Sequence, residues 1–247
     1  MDNKSYGQCA LCASPKKQCG GGDFIPDGIC STELYPEVIE KAVSKYAEPE
    51  FAEFAKQAGR QTDSANGTRG GNGVSFPTKS RIQETVEFMK RMGYKKIGLA
   101  YCGSVQSEAA NLCKIFQANG FEVVSVCCKV GKMGRDAIGI GEEEIKRHHL
   151  PNHYQCNPIA QAEILNYEKT EFNVMLGLCV GHDSMFLKNA EAMTTVLASK
   201  DRLLCNNAMA PLYQMGMTYR RLLNPEAYDE FDRETGDLIS KEQGDKK

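Results

Sequence analysis

The chain has little net charge, no long apolar run and none of the short motifs that usually announce a reaction. Its 247 residues carry 30 Lys and Arg against 32 Asp and Glu, a formal charge of −2. That balance removes the electrostatic reason to expect nucleic acid or an anionic membrane surface as a partner. No apolar stretch approaches the ~20 residues that cross a bilayer. The N-terminus, MDNKSYGQCALC, lacks the apolar core of an export signal. The expectation is a cytoplasmic protein with no membrane or nucleic-acid partner. Paired carboxylates, a nucleotide-binding glycine fingerprint and a serine elbow are missing, as are internal repeats and low-complexity tracts. The glycine-rich ANGTRGGNG at 65–73 lacks the Lys-Ser/Thr of a phosphate loop and reads as a flexible linker.

Against these absences stand 11 cysteines, and 41% of the residues are hydrophobic, enough for a real core. In a cytoplasmic chain of this size, cysteines point to metal or thiol chemistry more often than to disulfides. Four of them, Cys9, Cys12, Cys19 and Cys30, lie in a Cys-, Gly- and Pro-rich segment, 1–35, at spacing C-x2-C-x6-C-x10-C. Two thiols two residues apart can address one ion around a tight turn, and two more complete four-coordination. Gly20, Gly21 and Gly22 let the backbone fold over a centre and offer it N–H groups. The spacing matches neither the common zinc ribbon nor the bacterial ferredoxin run, so zinc and an iron–sulfur cluster both stay open here.

Beyond this module the periodicity predicts a helical connector over 36–75, an α/β domain over 76–223 and a polar tail over 224–247. Val38, Ile39, Ala42, Val43 and Tyr46 make a helical stripe over 36–46, and a second helix over 50–58 is expected to end at Gly59. Ser80 and Gln83 form a capping box that starts a helix stopped by Gly93. A strand over 96–102, a helix over 105–118 and a strand over 122–127 follow. Asn157 and Pro158 open another helix. NVMLGLCVGHD contains a buried strand over 173–179, and Asp183 is read as the cap of a helix over 184–190. A strand at 194–197, an extended piece at 203–205 and a last helix over 211–223 complete the reading. Alternating helices and strands predict right-handed crossovers and a parallel sheet, a Rossmann-like or flavodoxin-like three-layer α/β fold.

Several cysteines end the strands of this sheet: Cys102 after IGLAY, Cys127 and Cys128 after VVSV, Cys179 after NVMLGL. Ligands of open parallel sheets bind beyond the carboxyl ends of the strands, near the switch in strand order. Adjacent Cys127 and Cys128 point to opposite faces, and Cys128, nearer the loop, is the one assigned to the site. Cys156 precedes a helix start, where the dipole favours thiolate. Cys205 falls near the same edge, whereas Cys113 lies on the apolar stripe of its helix and reads as packing. Gathered thiolates repel one another unless a cation or cluster neutralises them. His182, three residues after Cys179, is a candidate ligand, proton donor or base. His148, His149 and His153 are weaker candidates in a loop, and Lys132 and Arg135 could meet an anion.

CALC with the two cysteines that follow it, CNPIAQAEILN, NVMLGLCVGHDSMFLKNA and KDRLLCNN together resemble a family of predicted cysteine-rich metal-binding proteins of anaerobic bacteria and archaea. The resemblance extends over most of 9–223. It implies metal binding through cysteines and an anaerobic setting, which favours iron–sulfur over zinc, and it implies no reaction.

Three functions follow as expectations. The favoured one is an iron–sulfur protein whose metal ligands are Cys9, Cys12, Cys19 and Cys30 in one centre and Cys102, Cys128, Cys156 and Cys179 in a second, substrate-facing or redox centre. Its partners would be a redox protein or a small-molecule substrate. The second is a zinc protein with a structural N-terminal site and a ligand- or partner-binding α/β domain. The third is a metal-free enzyme with Cys156 or Cys179 as nucleophile and His182 as base.

Overall fold

A computed structural model describes residues 6–12, 28–69, 74–141, 154–223, 228–231 and 238–240. Cys19, His148, His149, His153 and the helix expected near 142–149 lie outside the described residues. The chain divides into two units, Met1–Lys79 and Ser80–Lys247.

In the first unit, the short helix α1 (Ser31–Leu34) leads into α2 (Pro36–Lys45) and α3 (Pro49–Ser64). Both longer helices begin on proline, whose fixed φ suits a first turn and whose missing N–H is not needed there. α3 runs through Gly59 rather than stopping at it. A single glycine costs a helix only about 1 kcal/mol relative to alanine, and the turn after it buries Gln61. The glycine-rich segment read as a linker contributes to an antiparallel hairpin, β1 (Asn66–Arg69) with β2 (Val74–Pro77).

The second unit is built on four parallel strands: β3 (Lys96–Tyr101), β4 (Glu122–Cys127), β5 (Phe172–Leu178) and β6 (Thr194–Ser199). Their order is β4-β3-β5-β6, which in chain order is the 2-1-3-4 of a flavodoxin-like sheet's first four strands. The expected α/β parallel-sheet domain is therefore what the chain forms. From β3 the chain moves outward to β4 through α5 (Gln106–Ala118), then returns across β3 to β5 through α6 (Pro158–Tyr167). It moves outward again to β6 through α7 (His182–Asn189). The right-handed rule puts α5 on one face and α6 with α7 on the other, and α6 packs against α7. Covered on both faces, β5 is buried along its whole length, which is why VMLGL, 174–178, reads as a continuous apolar run rather than an alternation.

The caps hold as chemistry dictates. Ser80 Oγ accepts the Gln83 N–H at 3.3 Å and Gly93 ends α4 (Arg81–Met92) in the left-handed region, φ 74°. Around this helix, Phe88 and Tyr94 pack their rings on Phe172, each with centroids 5.6 Å apart. Phe116 of α5 meets Phe121 edge-on. Phe88, Phe116, Phe121 and Phe172 are buried, and burial of a large apolar side chain contributes about 1.5–3 kcal/mol.

Three expectations are corrected near the C-terminus and around α7. α7 starts at His182, two residues early, and Asp183 sits in its first turn, where Oδ1 accepts the Ser184 N–H. Residues 203–205 are a turn, with Cys205 and Asn206 at φ 52° and 65°. The long last helix is replaced by α8 (Ala210–Tyr213), turns and a 3-10 turn at Arg220–Leu223. Its stripe has nothing to lie against, since Leu212, Tyr213, Met217, Leu222 and Leu223 are all exposed among the described residues, and an unpacked helix of this length is marginal. The polar tail forms a short antiparallel pair, β7 (Tyr228–Phe231) with β8 (Leu238–Ser240).

One glycine fixes the sheet edge. Gly177, near the end of β5, has φ +67°, and a Cβ there would lie 3.2 Å from Val105 Cγ2. Gly177→Ala is expected to cost about 1–3 kcal/mol through backbone strain and contact. Gly181→Ala, at φ +81° with open space around it, should cost less, about 1–2 kcal/mol. Thermal melts that ranked the two equally would contradict this account of β5.

Candidate thiol and metal site

The register of the sheet brings the strand ends level. Tyr101 pairs with Cys127 on one side and with Leu176 on the other, and Leu178 pairs with Ser199. The ladder continues one residue further: Cys128 N–H donates to Tyr101 O at 2.9 Å, Cys102 N–H to Leu176 O at 3.1 Å, and Lys200 N–H to Leu178 O at 3.0 Å. Cys102, Cys128, Cys179 and Lys200 thus stand on one edge, at the β3/β5 switch point where the connections to β4 and β6 leave in opposite directions.

Cys156 comes to the same edge through α6. Asn157 N–H donates to Cys128 O at 2.8 Å, and Asn157 Oδ1 caps the helix by accepting the Ala160 N–H at 3.0 Å. One turn on, fully buried Gln161 donates through Nε2 to Tyr101 O at 3.2 Å and to Val126 O at 2.7 Å. This amide clamps the start of α6 onto the ends of β3 and β4. Sequence reading passes over Gln161; the signal is a lone amide on an otherwise apolar helix face, four residues after the cap.

Three of the thiols form a chain. Cys102 is pushed up to about 12 by donating its hydrogen to Cys128 and by burial. Cys128 is lowered by the bond from Cys102 but raised more by its own bond to Cys156 and by burial, and ends at about 11. Cys156 falls to about 7 because Cys128 donates to it and Lys129 is close, against the opposing effect of burial. The sequence attributes the activation of Cys156 to the helix start; the neighbouring thiol is the larger cause. Lys129 is itself held by the Tyr154 carbonyl. Cys179 lies close enough to act electrostatically on Cys156, and Arg202 donates to its sulfur at 3.0 Å.

The other donors in reach are N–H and O–H groups. Gly103 N–H points at Cys128 Sγ, 3.4 Å away, and Ser104 Oγ lies 3.4 Å from Cys102 Sγ. His182, at the first position of α7, is half-buried. Burial lowers its pKa; the nearby Cys102 and Asp183 oppose this, while Lys129 and Arg202 add to it. Its imidazole is therefore neutral near pH 7.

The remaining cysteines separate from this group. Cys127 lies against Tyr101, where its charge adds to burial in raising the phenol. Cys113 is half-buried on α5 beside Ser125, with burial raising its thiol. Cys205 is exposed. In the first unit, Gln8 N–H donates to Ile29 O at 2.9 Å, which carries exposed Cys9 to Ser31, where Sγ meets Oγ at 3.0 Å. Cys30, buried, precedes Ser31 directly, and Cys12 stands one 3-10 turn after Cys9. Among the described residues, no group of three or more His, Cys, Asp or Glu side chains is already placed to hold a metal ion, and no helix is long and apolar enough to cross a membrane.

Metal-free, reduced protein should alkylate at Cys156 with a midpoint near pH 7, well below an ordinary thiol. The lowered pKa also stabilises the fold above the unfolded thiol value of 9.0, and that contribution is lost as pH falls through about 7. The raised pair works oppositely: its contribution is complete below 9.0 and is lost as pH rises through about 11 and 12. Peptide-resolved iodoacetamide rates between pH 5.5 and 9 check the midpoint, and Lys129→Gln should raise it.

Fold and site define an α/β parallel-sheet protein with four thiols and three basic side chains at its switch point. The chain belongs to the family described as Protein of unknown function (DUF1847), which matches residues 30–197. That range contains Cys30, Cys102, Cys128, Cys156 and Cys179. The chain is also 44% identical over 143 residues to an uncharacterized protein of Methanocaldococcus jannaschii, MJ0455, an alignment covering 56% of this chain and 69% of that protein.

Proposed function

We propose that the protein binds a thiophilic metal centre at the switch point through Cys102, Cys128, Cys156 and Cys179, and that this centre serves redox or substrate chemistry. The observation that carries the reading is the set of donors around the thiols. Gly103 N–H addresses Cys128, the Ser104 hydroxyl Cys102, the Arg202 guanidinium Cys179, and Lys129 lies by Cys156. Neutral thiols gain little from such donors, whereas sulfurs that bear charge together need them. The donor set is soft, as zinc or an iron–sulfur cluster requires. Among the described residues the thiols are not already set around one point. Binding therefore releases protons and requires the thiols to turn toward a common centre.

An iron–sulfur cluster is favoured over zinc. Such a cluster supplies one-electron transfer or, where a side-chain ligand is lacking, an iron open to an outside ligand. Cys9, Cys12, Cys19 and Cys30 are the proposed ligands of a second centre in the first unit. Neutral His182 is the proposed proton donor or fourth ligand. Either a small-molecule substrate or a redox protein would be the partner, in the cytoplasm. The test is metal analysis and an absorption spectrum on full-length protein purified without oxygen. Iron with visible thiolate-to-iron absorption supports the favoured reading, near-stoichiometric zinc without colour supports its alternative, and a colourless, metal-free preparation sinks both.

A second reading rests on Cys156, brought to about 7 with no metal involved. There Cys156 is the nucleophile of a metal-free enzyme and His182 the base. It leaves the donors on Cys102 and Cys179 without a role.

A further inference from the structure

We propose that Lys200 is the anchor for an oxyanion group, a carboxylate or a phosphate, of a small ligand that docks at the switch point beside the thiols. This inference rests on the switch point being the working site, and not on which metal it holds.

Lys200 follows β6 directly and its backbone is pinned by the bond to Leu178 O. From there the side chain crosses the end of β5. A Cβ built on Gly177 would lie 3.6 Å from Lys200 Nζ, so the ammonium passes close over the glycine backbone. It ends on Ser104 Oγ, in the exposed turn after β3. A cation from the outer strand thus bridges both lips of the switch point, the place where ligands of such sheets bind.

Its bonding is incomplete for a charge. An ammonium has three donors, and the partner shown for it is one neutral hydroxyl. Among the described residues no carboxylate stands within ion-pair distance of it. Glu108 acts on it only through space, exposed to solvent and engaged by its own backbone N–H and by Ser107. Arg202 and Lys129 bring the same sign of charge to this edge, but Arg202 is committed to Cys179 and Lys129 to the Tyr154 carbonyl. The nearest acids at this edge are engaged by backbone, Asp201 Oδ1 by the Leu203 and Leu204 N–H groups and Asp183 Oδ1 by the Ser184 N–H. The three like charges therefore favour an anion, and Lys200 is the one whose shown partner is a hydroxyl in the exposed turn.

The experiment uses full-length protein purified without oxygen, with inorganic phosphate and acetate as separate probes and chloride holding ionic strength constant. A saturable rise in melting temperature with either probe is expected, and the more effective one names the ligand's acid group. Lys200→Gln should raise the half-saturating concentration about tenfold or more, the loss of a charge-assisted hydrogen bond. Lys200→Arg should keep it within about threefold, since the charge and donors remain. The proposal fails if neither probe exceeds the chloride control, or if Lys200→Gln binds as the parent does. Metal per chain, measured on the same samples, separates the two claims. Anion binding without metal overturns the metal reading alone, and metal without anion binding overturns this inference alone.

Discussion

Cys128→Ala should empty the switch point. This sulfur is 3% exposed, touches both Cys102 and Cys156, and takes the Gly103 N–H. No other thiol of the group has two thiol neighbours of this kind. Loss of a partner that only orients a ligand costs about 10–100-fold in metal affinity, so loss of a central ligand should cost at least about 100-fold. The same change removes the donor that lowers Cys156, so in metal-free protein the alkylation midpoint of Cys156 should rise toward the ordinary thiol value. Cys113→Ala, on α5 and outside the group, is the control: metal content should stay at the parent level. Iron and zinc per chain, read together with peptide-resolved alkylation, check both halves. Retention of full metal in Cys128→Ala would falsify the four-thiol centre.

Removing the metal should have the opposite effect on reactivity. In the proposed loaded centre the sulfur of Cys156 would be a ligand, with its lone pair unavailable to an electrophile. After anaerobic chelation it becomes the most acidic of the shifted thiols, at about 7 against about 11 and 12 for its neighbours. At pH 7 about half of Cys156 is then thiolate, while a neighbour near 11 has roughly one part in ten thousand. Chelation is therefore expected to raise the Cys156 alkylation rate by about 100-fold or more and to make it the fastest site in the group. The metal-free enzyme reading predicts something else: rapid alkylation of Cys156 before chelation and no change after it. A single time course with and without chelator distinguishes the two.

How far the sequence reaches depends on whether a feature is local. Pro36, Pro158 and the Ser80 and Asn157 caps mark helix starts because the chemistry that starts a helix lies within four residues. The apolar run 174–178 of β5 is legible because burial on both faces favours apolar side chains there; Asn173, fully buried, accepts from the Thr170 hydroxyl instead. Gly59 misleads, since its cost of about 1 kcal/mol is small beside the burial of the α3 face. The last helix misleads in the other direction: its apolar residues Leu212, Tyr213, Met217, Leu222 and Leu223 stay exposed among the described residues. At the site, Cys102, Cys128 and Cys179 are readable as strand ends, and Cys156 as a helix start. What the sequence does not show is which donors address them. Gly103, Arg202, Gln161 and Lys200 gain their roles from the order β4-β3-β5-β6 and from its register, which bring together residues about 100 positions apart. No local pattern records that order.

The account turns on whether the switch-point thiols hold metal in the full-length protein. The most direct measurement is iron and zinc per chain, with the visible spectrum, on two anaerobically purified variants. One replaces Cys102, Cys128, Cys156 and Cys179 by serine; the other replaces Cys9, Cys12, Cys19 and Cys30. The account predicts that each variant loses part of the parent's metal and that the second keeps a centre attributable to the switch point. If the second variant were metal-free, or the first kept the parent's full complement, the switch-point thiols would not be a metal site.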